Sequence, residues 1–431
     1  MHRCEARERR RNADGGGDIL NAFVRLLFSS FAGVVCEKII GALAAIASNH
    51  LFANIYGARL FGELQFALSL AYVIGSVALI FGAQVIQPIL GKHPRLRHMV
   101  VYRAFRLRLT LTLAVMLLFM GIVVIVMRPS SVSELTLIAA FALIVEPIAL
   151  GSLMAYAESR PWVITRARAY ASCVRVLWLY VAAHASMGVV VAAFAWPLEA
   201  CVAAAAPFSR YRALALKSPK SFRGSAAVTK ALVVRGLRIW PAIAASVLVL
   251  RMDRLLLGVL VSKADLGIYA SAASLVEQWN SVGTTLALAL APSMVFSART
   301  ETLVRAKALK LGLYLGLVGC VAWVGSWFIG RKVFLMIYGP AFVDGVPIMI
   351  YATGCSIATF VDAGLSTWLL AVRRYRLVMV KQVLIVAAIV AAPFVMPRAL
   401  VMYAPSTGIA VSLVAFWCVV LGNLFRNRAR P

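Results

Sequence analysis

The feature that most constrains this chain is the recurrence of apolar runs of about twenty residues, the helical length that crosses a bilayer's hydrocarbon core. Sliding that criterion along the sequence predicts about twelve spans, near 22–55, 64–91, 107–127, 133–157, 170–186, 187–208, 236–262, 266–296, 308–330, 342–371, 378–397 and 400–425. The fifth and sixth are divided only around His184 to Gly188, where no charged loop intervenes. At 62% apolar and 14% charged residues over 431 positions, the chain lies far from the roughly 45–50% and 25% of soluble domains. A water-soluble fold could not hide that surface, so the expected class is an all-α integral membrane protein.

Charge placement tests the helix count independently. A formal charge of +28 would suggest nucleic acid if the basic residues covered a polar surface. Here they fall between apolar runs, so membrane topology explains them and no nucleic-acid partner is expected. With the N-terminus inside, 34 of the 44 Lys and Arg fall in cytoplasmic loops and tails and 6 fall outside. Lys38, Arg175, Arg251 and Arg254 remain within helices. Because cytoplasmic loops collect Lys and Arg, the imbalance requires an even number of spans and puts both termini in the cytoplasm.

The longest polar stretch, Ser209 to Arg235, divides the spans six and six. The predicted organisation is a disordered basic tail over 1–18, an N-terminal six-helix lobe over 19–208, a basic cytoplasmic linker over 209–235, and a C-terminal lobe with a short basic tail over 236–431. A faint repeat agrees with it. Gly62 opens a span that carries Pro88, and Gly267, 205 residues later, opens one that carries Pro292. The strings after the two glycines share Ala, Ser and Leu at matching offsets, as in transporters built from two related halves. Seven scattered cysteines with no CxxC spacing and five histidines with no HExxH pair predict neither a metal site nor a cofactor. Gly312, Gly316 and Gly319 form a small-residue face suited to close helix packing, and Trp162, Trp240 and Trp327 are placed as interfacial anchors.

Two stretches carry a family resemblance. Gly57-ARLFGELQFALSLAYVIGS resembles the Gly-x-x-x-Phe-Gly connection between the first two helices of bacterial polysaccharide-unit flippases of the O-antigen type. These belong to the multidrug, oligosaccharidyl-lipid and polysaccharide exporter superfamily. Arg251-MDRLLLGVLVSKADLGIYASAASLVE resembles their Asp-Arg-x-x-x-Gly helix and the Gly-x-Tyr start of the next. The resemblance implies two six-helix lobes around a central cavity that opens alternately to each side of the bacterial inner membrane. It also implies the cargo, an oligosaccharide on a polyprenyl diphosphate, with membrane lipids and a polysaccharide polymerase and chain-length regulator as partners.

Ionisable residues inside spans each cost about 2.5–3.5 kcal/mol if they face lipid, so they face a cavity or a partner. The candidates are Glu37, Lys38, Glu146, Arg175, Glu199, Arg251, Asp253, Arg254, Glu277 and Asp362. Arg251, Arg254 and Gly258 share one helical face and Asp253 points elsewhere. Both arginines are expected near mid-membrane, about fifteen residues beyond the start of the seventh span. Ser274, Glu277, Ser281 and Thr284 form a polar stripe on the eighth span, and Cys355, Thr359, Asp362 and Ser366 form one on the tenth. Two guanidinium groups in a wet cavity suit a diphosphate, which their planar forks bind bidentately; the alternative is an Arg–Glu277 bridge that only fixes packing. Arg251, Arg254, Lys38, Glu277 and Asp362 are therefore the expected substrate cavity. Glu37, Asp253, Glu146 and Glu199 are structural or ion-coupling charges, the last two standing beside prolines that could free backbone carbonyls. A drug or cation exporter of the same fold is the alternative reading, and it should present unpaired carboxylates. A membrane-embedded polymerase or glycosyltransferase needs a long outer loop, and every predicted outer loop is short.

Overall fold

In a computed structural model, the backbone is described for residues 2–428 apart from 93–96, 128, 146, 159–160, 217–224 and 299. Side chains are described outside those positions and outside 1–32, 34, 83–84, 88, 91–92, 156, 161, 210–211, 213–216, 225 and 423–428. Glu146 and the side chains of the 1–18 tail thus lie outside the described residues.

The chain is helical throughout its described length. The elements are α1 (His2–Gly75), α2 (Ala83–Lys92), α3 (Arg97–Val126), α4 (Ser131–Val145), α5 (Gly151–Ala157), α6 (Pro161–His184), α7 (Val189–Ala193), α8 (Ala195–Leu216), α9 (Ser225–Leu260), α10 (Lys263–Ala291), α11 (Glu301–Tyr338), α12 (Gly345–Ala371), α13 (Tyr375–Val395) and α14 (Ala404–Arg428). Eight segments are long and apolar enough to cross a membrane. One of them, Val35–Gln87, holds two passes, because Gly57 adopts φ 76°, ψ 174° and breaks α1 there. Only glycine takes that conformation without strain. The helices α6, α9 and α10 are long enough to cross but carry Arg175, Arg251, Asp253, Arg254 and Glu277, which lower their apolarity. With them the passes number twelve, as the spacing of apolar runs predicts.

Local chemistry sets the boundaries. Ser262 caps α10 by accepting the Asp265 backbone N–H at 3.1 Å while its hydroxyl donates to the Asp265 carboxylate at 2.7 Å. Thr300 caps α11 by accepting the Leu303 backbone N–H at 3.4 Å. Pro147 ends α4, and a 3-10 turn leads to α5. Pro197 stands in the first turn of α8, where a missing N–H breaks no bond. Both α8 and α9 extend into the 209–235 segment, because 225–235 is rich in helix formers and Gly236 packs against the Ile80 carbonyl rather than ending the helix. Only 217–224 separate them.

The helices α1–α8 pack chiefly with one another, as do α10–α14, while α9 lies between them, packed against α1, α2, α3 and the Ser76–Phe81 turn on one side and against α13 and α10 on the other. The two sets meet where α1 runs against α9, α10 and α11, and where α9 crosses the 3-10 turn Ser76–Phe81. At the end where α9 turns into α10, an aromatic cluster closes the junction. Phe61 lies 6.4 Å from Phe52, 6.1 Å from Tyr338 and 6.2 Å from Phe342, ring centre to ring centre, and is fully buried. His50 and Asn54 of α1 both hydrogen-bond the Ile337 carbonyl at the end of α11. Further along the seam, Trp240 of α9 donates to the Ser76 carbonyl at 3.0 Å.

Candidate functional site

The charged seam between the two sets of helices is built on α9 and α10. Because α9 begins at Ser225, eleven residues earlier than the span predicted from hydropathy, Arg251 and Arg254 stand nine and six residues from its far end. That is about 9–14 Å at 1.5 Å per residue, beyond the middle of the helix itself and within about half of a ~30 Å hydrocarbon core from that end.

The two arginines differ in what they touch. Arg254 is fully buried, with Nη1 2.7 Å from Glu277 Oε1 and Nη2 donating to Ser274 Oγ at 3.4 Å. Arg251 keeps 23% of its side chain exposed, 3.7 Å from Glu277 Oε2, and its guanidinium lies 4.9 Å from the centre of the Tyr72 ring on α1. This cation–π contact crosses from one set of helices to the other. Asp253 turns away from both, as the helical spacing predicts, and accepts from the Tyr269 hydroxyl at 2.8 Å. Glu277 thus holds one arginine firmly and the second loosely. Along α10 the predicted polar stripe opens progressively: Ser274 is buried, Glu277 and Ser281 are half-buried, and Thr284 is exposed. Arg254 Nε and Asp253 Oδ1, both buried, have no hydrogen-bond partner among the described residues.

The other candidates form separate centres. Asp362 on α12 accepts from the Lys381 ammonium at 2.6 and 2.7 Å, from Ser366 at 3.1 Å and from Trp417 Nε1 at 2.8 Å. Lys381 also donates to Ser366 at 2.6 Å. Glu199 is bound by Arg175 at 2.5 Å, and Arg175 Nε donates to Ser48 at 2.8 Å. Glu37 lies 3.9 Å from Arg168. Lys38, its neighbour, is exposed on α1 and has no partner among the described residues. Sequence reasoning missed Tyr72, Tyr269, Lys381 and Trp417, and the pairing of Ser48 with Arg175. A lysine near a predicted loop gave no sign that it would turn inward, and aromatic residues in an apolar run read as packing. Among the described residues no group of three His, Cys, Asp or Glu could hold a metal.

No protein-family model matches the chain, and no curated protein matches it in sequence. Solved structures match it in fold. An inward-facing multidrug resistance MATE family transporter of the MOP superfamily superposes with a TM-score of 0.68 at 11% identity, over 93% of this chain and 100% of its own. The lipid II flippase MurJ, in an inward closed conformation, gives 0.71 at 9% identity over 92% of this chain and 87% of its own. A MOP superfamily transporter from Pyrococcus furiosus, described by the reverse polarity of its binding pocket, gives 0.53 at 14% identity over 94% of both chains. At these identities the likeness is one of fold. The chain is a multi-pass helical membrane protein with the architecture of MOP superfamily transporters.

Proposed function

We propose that this protein is a transporter that moves an oligosaccharide on a polyprenyl diphosphate across the bacterial inner membrane by alternating access. The observation that carries this reading is the sign of the unmatched charge. Four intramembrane carboxylates, Glu37, Glu199, Glu277 and Asp362, each have a cationic partner. Asp253, the intramembrane carboxylate with no salt bridge among the described residues, is buried against Tyr269 and out of reach of a ligand; the loosely held groups that remain accessible are cations, Arg251 at the seam and Lys38 on α1. A seam of that sign receives an anionic head group, whereas a cation exporter needs free carboxylates. The fold supports the alternating movement, and MurJ, which shares it, is a lipid II flippase. The partition of basic residues supports cytoplasmic termini and an aromatic closure at the outer face in this reading.

The role of Arg251 in this reading is to accept the diphosphate as Glu277 releases it. Glu277 already satisfies Arg254, so the second arginine exchanges partners without leaving a buried charge unpaired. The test is surface-polysaccharide production in cells, normalised to membrane abundance, for Arg251→Ala, Lys38→Ala and the double variant. Production should fall at unchanged abundance. Full production by the double variant overturns the reading, and loss of resistance to a cationic drug with production intact favours a drug exporter.

A further inference from the structure

Away from the seam, α11, α12 and the turn before α14 enclose a groove of about 530 Å³. Its walls are Trp323, Trp327, Tyr351, Gly354 and Tyr403, with Cys355 at its floor. Gly354 makes the shape possible, because a Cβ there would stand 2.8 Å from the Trp323 indole nitrogen. Trp327 is eleven residues from the end of α11 and Cys355 is ten residues into α12. At 1.5 Å per residue Cys355 stands about 15 Å, and Trp323, fifteen residues from the end of α11, about 23 Å from the end where α9 meets α10, so the groove spans the depth of one leaflet's hydrocarbon. Trp327 is 65% exposed toward this space.

The groove has a charged rim. Arg331 follows Trp327 by one turn on the same face of α11, so Trp323, Trp327 and Arg331 form a single line running from the groove toward the helix end. Lys332 is beside it. Arg398 begins the 3-10 turn Arg398–Tyr403, whose last residue lines the groove. All three cations are exposed, and none has a carboxylate within salt-bridge distance among the described residues. Asp344, the acid at this end of α12, is also exposed and has no salt bridge among the described residues. The sequence assigns these basic residues to the outside, where few are expected; half of the six predicted there stand on these two elements.

We propose that this groove holds one hydrocarbon chain of an anionic glycerophospholipid from the surrounding leaflet, with its phosphate met by Arg331 and Arg398. The apolar length fixes the chain, and the unpaired cations beyond its mouth fix the sign of the head group. The site is separate from the Arg251 seam, so it stands or fails independently of the transport reading.

The test uses the full chain in vesicles of phosphatidylcholine containing a small fraction of chain-brominated phosphatidylglycerol, or in parallel of chain-brominated phosphatidylcholine. Bromine quenches tryptophan on contact. The brominated anionic lipid should quench more than the zwitterionic one at equal fraction. That surplus should vanish in Trp323→Phe/Trp327→Phe, and in Gly354→Leu, which pushes the Trp323 indole into the groove. Arg331→Gln and Arg398→Gln should each weaken the preference about fivefold. Equal quenching by the two lipids overturns the proposal, as does a surplus that survives the tryptophan double variant. Displacement by a polyprenyl phosphate but by no phospholipid assigns the groove to another lipid and also overturns it, as does a groove covered by a second copy of the chain, read as a dimer that resists quenching.

Discussion

Gly62 and Gly267 face each other across the seam in a reciprocal contact: a Cβ on Gly62 would stand 2.8 Å from the Gly267 nitrogen, and a Cβ on Gly267 would stand 3.1 Å from the Gly62 nitrogen. Each missing side chain also makes room for a carbonyl, that of Lys263 at Gly62 and that of Ala58 at Gly267. Ala58 and Lys263 are 205 residues apart, and so are the two glycines. The contact is thus self-complementary in the manner of a two-fold interface, with the faint sequence repeat meeting itself at its own axis.

Substituting either glycine should loosen that junction. The clash is with backbone, which cannot swing aside, so Gly62→Ala or Gly267→Ala should cost about 1–3 kcal/mol of the closed arrangement. Hydrogen exchange at Phe334 to Tyr338, which the aromatic cluster covers, should speed up in both variants and to a similar degree. Unchanged exchange in either would show that the approach is incidental to closure.

Arg251 and Arg254 should separate function from stability. Arg254→Met removes the close partner of Glu277 and leaves Arg251 at 3.7 Å as its loose counter-charge, so it should cost about 3 kcal/mol or less and lower abundance in the membrane. Arg254→Met with Glu277→Leu should regain much of the lost thermal stability, since an apolar pair of similar volume needs no partner. Arg251→Ala should leave the melting temperature nearly unchanged and reduce transport. A large stability loss for Arg251→Ala would reassign the residue to packing.

The limits of the sequence are visible in these same residues. The helix count, the break at Gly57, the opposed faces of Asp253 and Arg254, and the Glu277 stripe are local properties, set by hydropathy, backbone freedom and helical period. Partnerships between distant helices are not. Nothing in spacing joins Lys381 to Asp362 or Arg175 to Ser48, because packing chooses those neighbours after the helices form. The early start of α9 escaped hydropathy, which begins the seventh span at its first apolar residue, while α9 continues through the basic stretch before it.

The Lys381–Asp362 network should behave as a structural clamp. Asp362 accepts from Lys381, Ser366 and Trp417 at once, which leaves little capacity for a ligand. Asp362→Asn should therefore destabilise by about 3–5 kcal/mol, because it strands a buried ammonium. Trp417→Phe removes one hydrogen bond to a charged acceptor and should cost about 1.5–3 kcal/mol. Lys381→Met with Asp362→Leu should be more stable than either single change and should retain transport. Loss of transport by a stable double variant would instead place the pair in the transport cycle.

The aromatic closure yields the last prediction. Phe61 comes from α1 and is buried against Tyr338 and Phe342 of the other set of helices, so its ring contributes only while that end is shut. Opening the end would expose the ring and its neighbours to water, and the hydrophobic effect opposes that opening. Phe61→Ala removes most of this opposition and leaves a cavity, a change that costs about 3–5 kcal/mol at fully buried sites. Set against the closed arrangement alone, that energy shifts the closed-to-open ratio by about two to four orders of magnitude. Phe61→Leu, which keeps an apolar filling, should shift it far less. Both shifts can be read by labelling a cysteine introduced at Phe52, in a chain whose own cysteines are replaced, with an impermeant thiol reagent added from the side on which that end opens. Fast labelling in Phe61→Ala, slow labelling in the parent and an intermediate rate in Phe61→Leu is the expected order. Equal rates in all three would mean that closure is carried by the hydrogen bonds of His50 and Asn54 to Ile337, with the rings only filling the space behind them.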